Sequence, residues 1–239
     1  MLFSHWRRYL PSAPRYLAQH YWWAYLSPRG VWFFGHDFIV SLILLGQYQK
    51  ILHEVMRLHM KKQCKRTLQL ACAYGAISPT LALAPNTGEF HLTDAANIQL
   101  IATHSKLQKA LSSAIMARMN AESLAYATNS FDCVVIFFLL HELPADARER
   151  ALGEAIRTLK PAGTLLIAEY GENLGQHLLH RFTPWRWVQE KLEPFLHNFW
   201  HSNLSEQIVN VITQQGKSVS QHSEIAIFGG YYRVIEYRV

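Results

Sequence analysis

Thr67-Leu68-Gln69-Leu70-Ala71-Cys72-Ala73-Tyr74-Gly75 is the stretch that decides the fold. An apolar strand runs into a turn of small residues. About twenty residues on, the next strand-like run, Glu89–Thr93, is closed by an acid, Asp94. A strand, a small-residue turn and an acid at the tip of the second strand form the layout of a Rossmann-like nucleotide site. Here the turn keeps a single glycine, Gly75.

Outward from this stretch, strands and helices alternate. Ser78–Ala84 and Ile98–Ala110 read as helices, Ser113–Ala117 as a weaker third strand and Phe131–Phe138 as a fourth. Asp146 and Glu149 form a capping box for a helix carrying Ala151, Leu152, Ala155, Ile156 and Leu159 on one face. Lys160-Pro161-Ala162-Gly163 stops that helix, and Thr164–Glu169 is a fifth strand. Glu224–Phe228, Gly229-Gly230 and Tyr231–Tyr237 read as a hairpin. The expected fold class is α/β: a Rossmann-like, mostly parallel seven-stranded sheet ending in an antiparallel hairpin. Residues 1–60 are expected to form a helical, aromatic N-terminal cap, with helical spacing from Asp37 to Leu58. Residues 61–239 are expected to form the nucleotide-binding domain, with a helical insertion at about 172–215 that forms a second aromatic cap.

Composition narrows the class. The chain has 239 residues, half of them apolar and 17% charged, so it is globular and long enough for a full core. Seven Trp, eleven Tyr and twelve Phe suggest a large apolar pocket or a membrane-facing surface. A net charge of +6 favours acidic partners such as anionic lipid or phosphate groups. The basic residues are scattered rather than striped, which argues against nucleic acid as a partner. Cys64, Cys72 and Cys133 form no C-x-x-C pair; Cys72 and Cys133 sit in apolar runs as buried thiols, and a reducing cytosol suits them. No signal peptide is read at Met1–His20, and the longest apolar runs fall well short of the roughly 20 residues that span a bilayer.

Ligands in such folds bind beyond the carboxyl ends of the strands. That rule makes Ala71, Cys72, Tyr74 and Gly75 candidates for a cofactor turn. Asp94 is either an acceptor for ribose hydroxyls or an N-cap for the helix near Asn97. Glu122 is either a contact on the adenine side or a surface acid. His141 and Glu142 follow the fourth strand, and Glu169-Tyr170 ends the fifth. These tips together could supply a general acid/base or oxygen ligands for a hard divalent metal. His197 and His201, four apart, read as surface histidines. The run from His180 to Val188 mixes basic and aromatic residues, fitting either a membrane interface or core packing.

Ser130-Phe131-Asp132-Cys133-Val134-Val135 and Leu159-Lys160-Pro161-Ala162-Gly163-Thr164-Leu165 resemble class I S-adenosylmethionine (SAM) dependent methyltransferases, in the branch near the ubiquinone/menaquinone C-methyltransferases. That likeness covers about residues 67–170. A closer resemblance, along nearly the whole chain, is to the RquA family of rhodoquinone biosynthesis. It rests on His20-Tyr21-Trp22-Trp23-Ala24-Tyr25 with Pro28, Leu42-Ile43-Leu44-Leu45-Gly46, Ala71-Cys72-Ala73-Tyr74-Gly75, Phe137-Phe138-Leu139-Leu140-His141-Glu142, Leu192-Glu193-Pro194-Phe195 and Phe228-Gly229-Gly230-Tyr231. The resemblance implies conversion of ubiquinone to rhodoquinone, a ring methoxy group being replaced by an amine, with SAM as amino donor and Mn²⁺ assisting. It implies a ubiquinone-type lipid partner and a cytoplasmic enzyme in peripheral contact with the inner membrane. His141, Glu142 and Tyr25 are the expected catalytic residues, with Glu169 and the other N-terminal tyrosines leaving the choice of base open. Two positions depart from that pattern: Ala76 stands where an acid is expected, and Asn120 and Glu122 stand where an Asp is expected. Methyl transfer to a quinone or another small apolar molecule, RNA methylation, and a non-catalytic SAM fold are the alternative readings.

Overall fold

The computed structural model describes residues 2–172 and 177–239. In its N-terminal part, 3-10 turns over Leu2–Ser12 lead to α1 (Arg15–His20), a single π-helical segment (Trp22–Leu26), α2 (Pro28–Phe34), α3 (Asp37–Ile43) and α4 (Tyr48–His59). Then come β1 (Cys64–Leu70), α5 (Ile77–Ala82), β2 (Thr87–Asp94), α6 (Asn97–Lys109), β3 (Ile115–Arg118) and β4 (Phe131–Phe137). A 3-10 turn over Leu140–Glu142 precedes α7 (Ala145–Thr158) and β5 (Leu159–Tyr170). The chain continues through α8 (Leu178–Arg181), α9 (Thr183–Leu192), α10 (Leu196–His201), α11 (Leu204–Gln214), β6 (Gln221–Ile227) and β7 (Tyr232–Arg238).

One seven-stranded sheet has the order β3-β2-β1-β4-β5-β7-β6. β1 to β5 run parallel, and β7 enters antiparallel between β5 and β6, with Tyr170 opposite Tyr232. The expected α/β class, the parallel core and the closing hairpin are all present. The central strands are continuous apolar runs because both faces are covered: Val134, Val135, Ile136, Leu165, Leu166 and Ile167 are fully buried. Strand order moves outward from β1 to β3 and then reverses from β4 to β5. Right-handed crossovers therefore place α5 and α6 on one face and α7 on the other.

Three local details differ from the sequence reading. No side-chain hydrogen bond caps α7; Pro144 holds the N-cap position, and Asp146 pairs with Arg150 (3.0 Å). The Lys160-Pro161-Ala162-Gly163 stop already belongs to β5, with Ala162 in the left-handed region (φ 62°). The expected N-terminal cap divides in two. Residues before α4 lie over the strand tips, whereas α4 packs on β5 and β7 as part of the main core. No helix among the described residues is long and apolar enough to cross a membrane.

α4 also shapes the turn after β1. The Tyr48 hydroxyl accepts the Ala76 N–H, and its ring fills the space beside Gly75. Gly75 has φ +89°, and a Cβ there would collide with the Tyr48 hydroxyl and ring. Gly75→Ala is therefore expected to cost about 1–3 kcal/mol in urea unfolding through overpacking and backbone strain. A loss below about 0.5 kcal/mol, the range of ordinary surface substitutions, would show that the turn yields freely.

Candidate active site at the strand tips

Two adjoining cavities open at the carboxyl ends of β1, β2 and β4. The smaller, about 60 Å³, is bounded by Ala71, Cys72, Asp94, Met119, Ala121 and Leu143. The larger, about 130 Å³, is bounded by aromatic and aliphatic groups that include Trp23, Phe34, Val40, Ile43 and Phe137. Tyr21, Tyr25, Ala71, Cys72, Leu139 and Glu142 border both. The backbones flanking the switch point are bent sharply: Ala71 (φ 64°) and Phe138 (φ 52°) follow β1 and β4 in the left-handed region. Non-glycine residues held there cost of order 1–3 kcal/mol each, and such strain clusters at functional sites.

Asp94 organises the smaller cavity. Its Oδ2 accepts the Cys72 N–H (2.8 Å) and its Oδ1 the Ala96 N–H (2.7 Å), joining the β1 turn to the start of α6. Each oxygen keeps a lone pair for a further donor. Burial raises its pKa to about 6, with the two backbone N–H groups opposing that rise. Asp94 is not the N-cap of α6: Ala96 holds that position with no side-chain cap, and Asp94 binds its N–H just before the helix. Glu122 is not itself a lining residue: its carboxylate takes Arg150 (2.6 Å) and the hydroxyl (3.1 Å) of Tyr16, which borders the smaller cavity. Gly75 borders neither cavity, whereas Ala71, Cys72 and Tyr74 do. All three cysteines are free and buried.

The wall between the cavities comes from the N-terminal cap. The π-helical segment carries Tyr25, whose hydroxyl donates to Glu142 and whose ring stacks on Tyr74 (5.4 Å). Tyr74 donates to the Ala24 carbonyl (2.7 Å), and Gln99 donates to both the Tyr25 carbonyl and the Tyr74 hydroxyl. Isolated π-helical turns occur mostly at functional sites, and this one aims its tyrosine at the tip of β4.

Beyond the wall lie His141 and three carboxylates. Glu169 is fully buried; it accepts His141 Nδ1–H (2.7 Å) and the N–H groups of Leu140, His141 and Tyr170. With those acceptors filled, Glu169 fixes the ring and points its Nε2 towards Glu193 Oε2 (4.0 Å). Burial alone would lower the His141 pKa, but the Glu169 charge and hydrogen bond outweigh it and raise it to about 9. Burial, followed by the Glu193 charge, raises Glu142 above the ordinary carboxyl range, and burial likewise raises Glu193. One ligand atom each from His141, Glu142 and Glu193 lies within 4.8 Å of the others. Glu193 Oε2 is shielded from solvent and has no hydrogen-bond partner. One imidazole nitrogen and two carboxylate oxygens, one of them unsatisfied, make a donor set that fits a divalent cation of the Mn²⁺ kind.

Sequence reading placed His141, Glu142 and Tyr25 in the cleft and did not single out Glu193 as a site residue. Its signal was an acid before Pro194 in an otherwise aromatic segment. The stretch from His180 to Val188 divides: Trp185 donates to the Tyr231 hydroxyl (2.9 Å), while Phe182 and Trp187 face solvent. The His180 side chain lies outside the described residues.

Residues 67–163 match the family model described as a methyltransferase domain. The chain is 27% identical over 157 residues to the ubiquinone/menaquinone biosynthesis C-methyltransferase UbiE of Haemophilus ducreyi, covering 64% of this chain and 54% of that protein. It thus spans about half the length of the curated relatives it matches. Its fold is similar to that of an O-methyltransferase family protein from Burkholderia thailandensis (TM-score 0.58, 18% identity, 86% of this chain and 61% of that one). It is also similar to the N-methyltransferase NodS of Bradyrhizobium japonicum, solved with S-adenosyl-L-homocysteine (TM-score 0.52, 14% identity, 80% and 86%). Residues 67–163 thus match a methyltransferase domain, and the chain shares the fold of these neighbours.

A carboxyl raised by burial binds its proton in the folded state where the unfolded chain has lost it. The stabilisation it gives is therefore complete below about pH 4.5 and is lost as pH rises through the folded value. Glu142→Gln, neutral at every pH, is expected to flatten the fall in stability between pH 5 and pH 8 by roughly 1–3 kcal/mol. Urea unfolding at both pH values checks this, and parallel curves for variant and wild type would contradict it.

Proposed function

We propose that this chain transfers a group from SAM to the ring of a ubiquinone-type lipid, and that the group is amino, displacing a ring methoxy group to give rhodoquinone. The observation that carries this reading is the pair of adjoining cavities. A small one lies at Asp94, and an aromatic one ends on His141, Glu142 and Glu193, with Tyr25 and Glu142 between them. The first suits the adenosyl part of SAM, with Asp94 accepting the ribose hydroxyls and the turn from Ala71 to Tyr74 leaving room for the backbone to approach. The second suits a flat, apolar ring that bears polar oxygens.

SAM supplies the transferred group. Mn²⁺, held by His141, Glu142 and Glu193, would supply Lewis acidity towards a quinone oxygen. Glu169 holds His141 Nδ1–H and so turns Nε2 towards Glu193; with that nitrogen free of a proton, His141 would offer its lone pair to the ion. Tyr25 donates its hydroxyl to Glu142 at the junction of the cavities, where a displaced alkoxide would need a proton. The aromatic cap excludes water from both. In this reading the enzyme is cytoplasmic and meets its substrate at the inner membrane. Ala76 causes no loss at the turn, since the Tyr48 hydroxyl already satisfies its N–H. A second reading, methyl transfer to a quinone ring carbon, is favoured by the methyltransferase-domain match of residues 67–163 and by the relative's activity.

Incubation of the protein with a short-chain ubiquinone, SAM labelled at the amino nitrogen, and Mn²⁺ is expected to give a labelled aminoquinone by mass spectrometry, dependent on all three. A methylated quinone instead would establish the second reading. No product from a protein that binds SAM would eliminate the quinone ring as acceptor. Asp94→Asn is expected to weaken SAM binding by roughly tenfold or more in calorimetry, because one amide NH₂ would face a backbone N–H. Unchanged affinity would remove Asp94 from the cofactor site.

A further inference from the structure

The molecule leaves an apolar face uncovered on α2 and α3. Trp32 is 69% exposed, Phe38 75% and Leu42 63%, with Phe33 and Ile43 about half exposed. Phe38 and Leu42 stand four apart on α3, on one helix face, and α3 packs against α2. Solvent-facing groups of this size on two adjacent seven-residue helices require a partner.

Two observations identify that partner as a lipid bilayer. First, the face is continuous with the aromatic cavity: Trp23 and Ile43 line the cavity and are themselves exposed at its rim. A ring seated within would send its tail out among Trp32, Phe38 and Leu42. Second, the surround is basic. Arg29 is exposed on α2 itself, and Lys109 is exposed on α6 across the shallow groove it shares with Trp32 and Ile101. Asp37 is the sole acid between Ser27 and Lys50. Apolar and Trp side chains ringed by Lys and Arg are the pattern of a segment lying in an anionic interface.

We propose that the α2–α3 face docks on an anionic phospholipid bilayer and opens the aromatic cavity directly to the membrane. This assignment rests on the reading of the substrate as a lipid quinone. It passes over the exposed Phe182 and Trp187, because no residue of α8 or α9 lines the cavity, whereas Phe34 of α2 and Val40 and Ile43 of α3 do.

Co-sedimentation with vesicles of phosphatidylcholine and phosphatidylglycerol tests it, with phosphatidylcholine vesicles alone as the comparison. Wild type is expected to bind the anionic vesicles. The triple variant Trp32→Ser, Phe38→Ser, Leu42→Ser is expected to bind roughly tenfold or more weakly, and Phe182→Ser, Trp187→Ser as wild type does. Undiminished binding by the triple variant, no binding by wild type, or a wild-type dimer that the triple variant dissociates would overturn the proposal. Turnover separates it from the quinone reading. The triple variant is expected to process a short-tailed quinone normally and a long-tailed quinone in vesicles slowly. Patch-dependent vesicle binding without turnover of either quinone leaves the docking face standing and removes the substrate. Normal turnover with no vesicle binding does the reverse.

Discussion

The hydrogen bond from Tyr25 to Glu142 joins the two halves of the site. The carboxyl comes from the tip of a central strand, and the hydroxyl comes from a π-helical turn more than a hundred residues earlier in the chain. Neither group would be in place alone. A buried carboxyl without a partner loses its proton-holding role or opens to water, and a buried tyrosine hydroxyl without an acceptor costs about 1–3 kcal/mol. Their contact fixes how deep the aromatic cap sits on the sheet, and so fixes the volume of both cavities. The stacking of Tyr25 on Tyr74, and the bonds from Tyr74 and Gln99, repeat that constraint from the β1 and α6 sides.

Glycine is nearly absent from the cofactor turn, and the neighbouring elements explain why the turn forms without it. Asp94 collects one N–H from the turn and one from α6, Tyr48 collects another at Ala76, and Ala71 accepts a left-handed conformation that glycine usually takes. Work that a glycine-rich loop performs through its own backbone freedom is shared here with side chains from two elements, Asp94 of β2 and Tyr48 of α4. The turn is consequently stiff, and its shape depends on α4 remaining packed against β5 and β7.

The legible parts of the sequence were those where a local pattern has a local cause. Buried parallel strands read as unbroken apolar runs, so β1, β4 and β5 were plain; His141 and Glu142 followed from standing past the end of β4, and Asp94 from closing β2. Glu193 was hidden because its proximity to His141 depends on how α9 and α10 fold back over the sheet, which no periodicity records. The partners of Glu122 were hidden for a similar reason: Tyr16 and Arg150 are 106 and 28 residues away. The start of α7 misled because Pro144 already fixes the helix entry, freeing Asp146 to pair with Arg150 one turn on.

The insertion of β7 between β5 and β6 has a temporal consequence. Tyr170 finds its sheet partner only when Tyr232 has been made, so during synthesis β5 waits with an open edge while α8 to α11 form around it. That edge is long and apolar, the kind that recruits foreign strands. Until the final strand arrives, Glu172 also lacks Arg233 and the region beside the His141 pocket has no floor. The nascent chain therefore passes through an interval in which β1 to β5 are made and the strand that closes the sheet on β5 is not, and a ribosome-bound chaperone would find its natural substrate there.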